Sequence, residues 1–351
     1  MVGQVRGRLR LHPVVASAVA TGLAAIAVLA IARVTGADAV GRAFDKVEPA
    51  WIVLIACAEL LTYPAYVIAY RSIARMHGHA PLSLPLVARV VVAGFGPFSI
   101  WGGFGLDRQA LRALHEDERS ARVRVIALGV LEWAVLAPIA WVTAVVFLAE
   151  GANVMPSLLW PWAIGVPLGF GFALWASSPH RIERLRKLGG KRGEFVCRVL
   201  EGVGILRKLI TDPLAWAPAW LGTALYWVLD MAAFYGALRA FGLQPGLGKV
   251  IIAYATGYAA TRRSLPLGGA GITEFLMTYA LYWVRLPLAP ALAAVVAYRA
   301  FNLLLAALPA LIAHRQLAPM LAKPLASNVR SDLPTSRPAP PRRSPPPART
   351  P

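Results

Sequence analysis

The sequence predicts an all-α polytopic membrane protein with about six full transmembrane helices and two re-entrant, glycine-rich hairpins. Three observations carry this. The 351-residue chain is 58% hydrophobic and only 15% charged, where a soluble domain carries about 25% charged residues. Its apolar residues fall in long runs. The basic residues behind the net charge of +19 gather between those runs, which points to a membrane surface with anionic headgroups and argues against nucleic acid.

A crossing helix needs about 20 mostly apolar residues. Val14–Ala32, Pro49–Tyr70, Val123–Leu148, Met155–Ala176, Leu214–Phe241 and Leu286–Ala313 meet that requirement. The first run is too long for the apolar core of a signal peptide and ends at Arg33 without a clear small-residue cleavage site, so it reads as a retained helix. Two further apolar stretches are broken. Leu84–Leu111 contains Gly94, Gly96, Pro97, Gly102, Gly103 and Gly105, and Val250–Val284 contains Gly257, Pro266, Gly268, Gly269 and Gly271. Such clusters rarely belong to a continuous helix. Trp51, Trp160, Trp162, Trp216 and Trp220 lie near span ends, as interface anchors do. Cys57 and Cys197 lie too far apart in type of segment to suggest a disulfide framework.

Loop charge orients the chain. Arg6, Arg8 and Arg10 precede the first span, Arg71 and Arg75 follow the second, and the loop Ser177–Pro213 carries Arg181, Arg184, Arg186, Lys187, Lys191, Arg192, Arg198, Arg207 and Lys208. If Leu84–Leu111 dips in and returns, all of these, and the arginines from Arg108 to Arg124, lie in the cytoplasm. If Val250–Val284 dips from the outside, the tail after Ala313, with Arg315, Lys323, Arg330, Arg342 and Arg343, is cytoplasmic too. Eight plain spans are the alternative. Residues 1–12 then form a basic cytoplasmic N-terminus, 13–322 the transmembrane domain, and 323–351 a Pro/Arg-rich tail with too little apolar surface to fold. The expected location is the inner cell membrane, multi-pass, with both termini cytoplasmic.

The two broken stretches resemble each other. Gly102-Gly103-Phe104-Gly105-Leu106-Asp107-Arg108 matches Gly268-Gly269-Ala270-Gly271-Ile272-Thr273-Glu274, and the same offset brings Glu132-Trp133 onto Tyr298-Arg299. Each copy has a glycine turn, a charge soon after it, and an opposite charge in the next long helix. Broken helices in inverted repeats are a common construction of secondary transporters, in which helix ends face a substrate near mid-membrane.

Glu59, Glu132, Asp230, Arg262, Arg263, Glu274 and Arg299 lie in or beside apolar segments. Each isolated charge costs about 3 kcal/mol to insert, so these groups must pair, neutralise or face a hydrated cleft. Glu274 with Arg299, and Arg108 with Glu132, are the expected pairs. Gly268, Gly269, Gly271, Arg262, Arg263, Glu274 and Arg299 form the candidate substrate-binding cluster, with Arg108, Glu132 and Asp230 as further candidates. Arginine suits a phosphate headgroup; register-fixing ion pairs are the alternative. No Walker loop, metal-ligand pattern or nucleophile elbow occurs, so no catalytic residue, metal or cofactor is implied.

The run Leu265-Pro266-Leu267-Gly268-Gly269-Ala270-Gly271-Ile272-Thr273-Glu274, followed by Ala297-Tyr298-Arg299-Ala300-Phe301-Asn302, resembles the signature of the lysylphosphatidylglycerol synthase transmembrane-region family, flippase-like membrane proteins. The resemblance covers roughly residues 10–320, and Thr273 stands where that family often has arginine. Its best-known members carry a soluble aminoacyltransferase domain after the membrane part. The short Pro/Arg tail here implies the translocating half without the synthase half. The resemblance thus implies a lipid translocator for an anionic or polyprenyl-linked lipid. A membrane-embedded lipid or glycolipid transferase, or a non-transporting partner that recruits a cytoplasmic enzyme, are the rival readings.

Overall fold

The computed structural model describes residues 47–75, 82–96, 103–113, 118–258, 269 and 271–322, with isolated positions before 47. All but isolated positions of the first predicted span, the terminal segments 1–12 and 323–351, and Arg262, Arg263 and Gly268 lie outside the described residues. Among the described residues all regular structure is helical. In order the helices are α1 (Pro49–Ala74), α2 (Leu84–Phe95), α3 (Gly103–Ala113), α4 (Glu118–Ala149), α5 (Pro156–Ala176), α6 (Pro179–Leu188), α7 (Gly190–Val203), α8 (Ile205–Thr211), α9 (Ala217–Ala240), α10 (Leu247–Gly257), α11 (Ile272–Trp283), α12 (Leu288–Ala300) and α13 (Ala306–Ala322). A π turn, Phe301–Leu305, joins the last two.

Five stretches are long and apolar enough to cross a bilayer: α1, α4, α5, α9 and the α12–α13 unit. They coincide with the five long predicted runs after the first. Pro49, Pro156 and Pro218 stand in the first turns of α1, α5 and α9, where no N–H partner is lost. By contrast α2, α3, α10 and α11 have 11 or 12 residues each, about 16–18 Å of helix. A hydrocarbon core is about 30 Å thick.

The molecule has two ends of different character. At one, Glu48 N–H donates to Ala240 O (3.3 Å) and Met155 N–H to Trp283 O (3.0 Å). These bonds gather the start of α1, the α4–α5 and α9–α10 junctions and the end of α11. Charges there are mixed: Glu48, Glu150, Arg239, Lys249 and Arg285. At the opposite end lie the close of α1 with Arg71, the start of α4, and α6–α8. Arg119 pairs there with Glu201, and Arg207 donates to Leu174 O at 2.8 Å. The segment Ser177–Pro213, read from sequence as a loop, is largely three short helices. Its apolar residues Ile182, Cys197, Ile205, Leu206 and Leu209 are buried, and burying such a stripe is what makes a basic segment helical.

Antiparallel α1 and α9 form the closest-packed pair. A Cβ on Gly222 would lie 2.6 Å from Ala69 N and 2.7 Å from Ala65 O. Small residues let the two backbones touch, the means of association open to helices in lipid. The short helices pack as pairs, α2 on α3 and α10 on α11. Phe95, at the end of α2, meets Tyr66 edge-on at 5.0 Å and Tyr226 at a tilt at 5.6 Å between ring centres. Tyr226 touches Trp227, and Trp227 touches Tyr254 and Tyr258 of the α10 end. The inner ends of both short pairs therefore meet one aromatic core. Trp162, expected as an interface anchor, is buried in that packing: it stacks on Trp133 and donates to Thr256 at 3.1 Å.

Candidate functional site

The site begins at the glycine turn before α11. Gly269 and Gly271 have φ of 75° and 86°, left-handed values that favour glycine. The turn lets Glu274, in the first turn of α11, reach back and accept the Gly271 N–H at 2.7 Å. Its other oxygen accepts Arg299 Nε at 2.9 Å. Arg299 comes from α12, so the pair ties a short helix to a crossing one. Both residues are almost fully buried, where a charge-assisted bond is strong and an orphaned partner is costly.

Asn302, one turn beyond Tyr298 in the π turn, extends the network. Its Oδ1 lies 3.4 Å from an Arg299 nitrogen and accepts the Tyr258 hydroxyl at 3.1 Å. Its amide nitrogen donates to Glu59 of α1 and lies 3.4 Å from Asp230 of α9. Asp230 is fully buried and accepts the hydroxyls of Tyr254 (2.5 Å) and Tyr298 (2.8 Å). The Tyr258 and Tyr298 hydroxyl oxygens lie 2.8 Å apart, so the Tyr258 proton is shared between Tyr298 and Asn302. Among the described residues, Asp230 thus rests on hydroxyl and amide donors alone. The residues come from α1, α9, α10, α11, α12 and the π turn, so any shift of the α10–α11 pair must remake these bonds. Beside them, the Thr273 hydroxyl is buried with no hydrogen-bond partner among the described residues.

The same core holds Glu132. It accepts the Tyr66 hydroxyl at 2.6 Å, and its carbonyl accepts Trp227 Nε1 at 2.9 Å. The expected Arg108–Glu132 pair does not form. Arg108 lies 3.7 Å from Glu118, at the start of α4, and Glu132 is about 21 Å farther along that helix. Arg108 belongs to the basic end, with Arg112 and Arg122 around the same carboxylate.

The structure therefore brings Gly271, Glu274, Arg299 and Asp230 into one buried network, keeps Glu132 in the adjoining core, and removes Arg108. Gly269 holds the turn. Sequence reasoning missed Tyr254, Tyr258 and Asn302 and gave Glu59 little weight. The four-residue spacings Tyr254–Tyr258 and Tyr298–Asn302 put each polar pair on one helix face, the one signal that could have found them.

The family model for the lysylphosphatidylglycerol synthase TM region matches residues 14–310. The chain belongs to that family. The match takes in the glycine turn, Glu274, Arg299 and Asn302, so the buried network lies wholly within the lysylphosphatidylglycerol synthase TM region. No curated protein matches the sequence.

Proposed function

We propose that this membrane protein moves a lipid with an anionic or polyprenyl-phosphate headgroup between leaflets. The observation that carries the reading is the buried Glu59–Asp230–Glu274–Arg299–Asn302 network at the inner end of a helix pair too short to cross the bilayer. Polar and ionisable groups at that depth are costly, and they mark pathways for polar cargo. In this reading the α2–α3 and α10–α11 pairs are re-entrant hairpins, entering from opposite faces. The order long helix, two short helices, long helix occurs twice, as α1–α4 and as α9–α13, with α5–α8 between, which supports an inverted repeat. The end rich in arginine faces the cytoplasm of the inner membrane.

The headgroup would meet Arg299 and, from the segment before the glycine turn, Arg262 and Arg263, with Gly268, Gly269 and Gly271 letting the backbone come close. Glu274 holds Arg299 in place while the site is empty. The test is leaflet movement of fluorescent anionic and neutral lipids in liposomes containing the purified protein. Wild type should accelerate the anionic class. Glu274→Gln and Arg299→Lys, each checked for an intact elution profile, should lose that acceleration. Absence of acceleration for every lipid class would overturn the reading.

A further inference from the structure

Two cavities lie next to each other along α4 and α5. The first, about 610 Å3, is a groove between α4 and α5 closed by Val203 and Leu206. Trp133, Trp162 and Phe170 are among its walls, which carry no charged residue. The second, about 620 Å3, lies at the arginine-rich end and is lined by Arg119, Arg186, Arg207 and Lys208 together with Glu183 and Glu201. The two adjoin one helical turn apart on shared elements. Ile126 of α4 lines the groove and Val123 the polar cavity; on α5, Ala173 lines the groove and Ser177 the polar cavity.

The polar cavity is a built site. Glu201 takes Arg119 and Arg186, and Arg186 also meets Glu183 at 2.9 Å. That leaves Arg207 and Lys208 without a carboxylate among the described residues, Arg207 being held in place by the Leu174 carbonyl. Ser177, at the seam of the two cavities, is 3% exposed, and its hydroxyl has no hydrogen-bond partner among the described residues. A buried hydroxyl left without a partner is costly, so the position calls for an acceptor. The groove supplies the other half of an amphiphile's needs. From Pro161 to Ala173 it follows about 18 Å of helix, close to one leaflet of a core about 30 Å thick. Its α5 wall belongs to the least covered of the five described spans, with 17% of its apolar window buried.

We infer that this paired cavity binds one anionic diacyl phospholipid, an acyl chain in the α4–α5 groove and the phosphate at Ser177, Arg207 and Lys208. The excess of cations selects an anionic headgroup over a zwitterionic one, and the apolar groove selects a lipid over a free anion. The site is independent of whether the buried network moves lipid.

The test uses the full chain in detergent, titrated with phosphatidylglycerol, phosphatidylcholine or inorganic phosphate, and read by native mass spectrometry and thermal midpoint. Phosphatidylglycerol should be retained and should stabilise. The double substitution Arg207→Ala with Lys208→Ala should weaken its retention on the order of tenfold or more. Gly169→Leu should do the same from the other half of the site, because Gly169 lines the groove and a Cβ there meets no atom within 4 Å. Arg184→Ala with Lys187→Ala, which leaves the cavity lining untouched, should change nothing. Equal retention of phosphatidylcholine, stabilisation by inorganic phosphate alone, or undiminished phosphatidylglycerol binding in Gly169→Leu would each overturn the assignment.

Discussion

The Arg299 guanidinium meets the Glu274 carboxylate at 2.9 Å with both side chains 2% exposed. Removing one partner leaves the other charged and buried. Arg299→Ala should therefore cost about 3–5 kcal/mol of stability. Arg299→Met combined with Glu274→Gln should recover much of that loss, because the glutamine carbonyl still accepts the Gly271 N–H. Denaturant unfolding in micelles checks this; a double variant as unstable as Arg299→Ala would show that the charge pair is not what matters.

Gly222 has no room for a methyl group, since the two nearest atoms it would meet belong to the α1 backbone. Gly222→Ala should push α1 from α9 and lower stability by about 1–3 kcal/mol. Gly165→Ala, with open space around its Cα, should be close to neutral and serves as the comparison in the same thermal unfolding series.

Ser120 and Ser178 lie at the same end of the molecule, beside the Arg119–Glu201 pair, and Gln244 lies at the other. In a background lacking Cys57 and Cys197, cysteines at 120 and 178 should react with an impermeant reagent from one side of the membrane only, and a cysteine at 244 from the other. In the proposed orientation the first side is the cytoplasm. A cysteine at Ser83, before α2, should label from the same side as 120; labelling of 83 and 120 from opposite sides would remove the α2–α3 hairpin.

Glu201 joins α7 to α4 through Arg119 and to α6 through Arg186. Burial alone would raise its carboxyl, but hydrogen bonds and charge from the two arginines outweigh that and hold it below the ordinary value. A lowered pKa contributes stability in full above the unfolded value of about 4.3 and loses it as pH falls through the folded one. Wild type should therefore be more stable than Glu201→Gln at neutral pH, and the gap should close on acidification below pH 4. A gap that stays constant with pH would rule out this linkage.

The spans were legible because hydropathy and flanking arginines agree, and the Glu274–Arg299 pair because both charges stand out in apolar sequence beside a glycine turn. Asp230 stood out equally, but its partners did not. Tyr254 and Tyr298 lie 24 and 68 residues away, and a tyrosine in an apolar run counts toward hydropathy whatever its hydroxyl does. Arg108 misled because matching offsets fix a residue's place in a repeat, whereas the length of α4 decides which carboxylate it reaches. In Ser177–Pro213 the density of charge masked the buried stripe that folds it.

The π turn at Phe301–Leu305 sets the phase of the last crossing helix. Tyr298, Asn302, Ala306 and Ala310 are all buried, each four residues after the one before. At 3.6 residues per turn, three such steps would swing the stripe about 120° around a regular helix. The wider π turn absorbs one residue and brings the stripe back into line. The segment thus carries one residue more than a straight helix would need, and its loss would leave α12 facing the core while rotating the alanine face of α13 toward lipid. Chain length there is as much a part of the design as residue identity, and a single-codon deletion would be a harsher change than many substitutions.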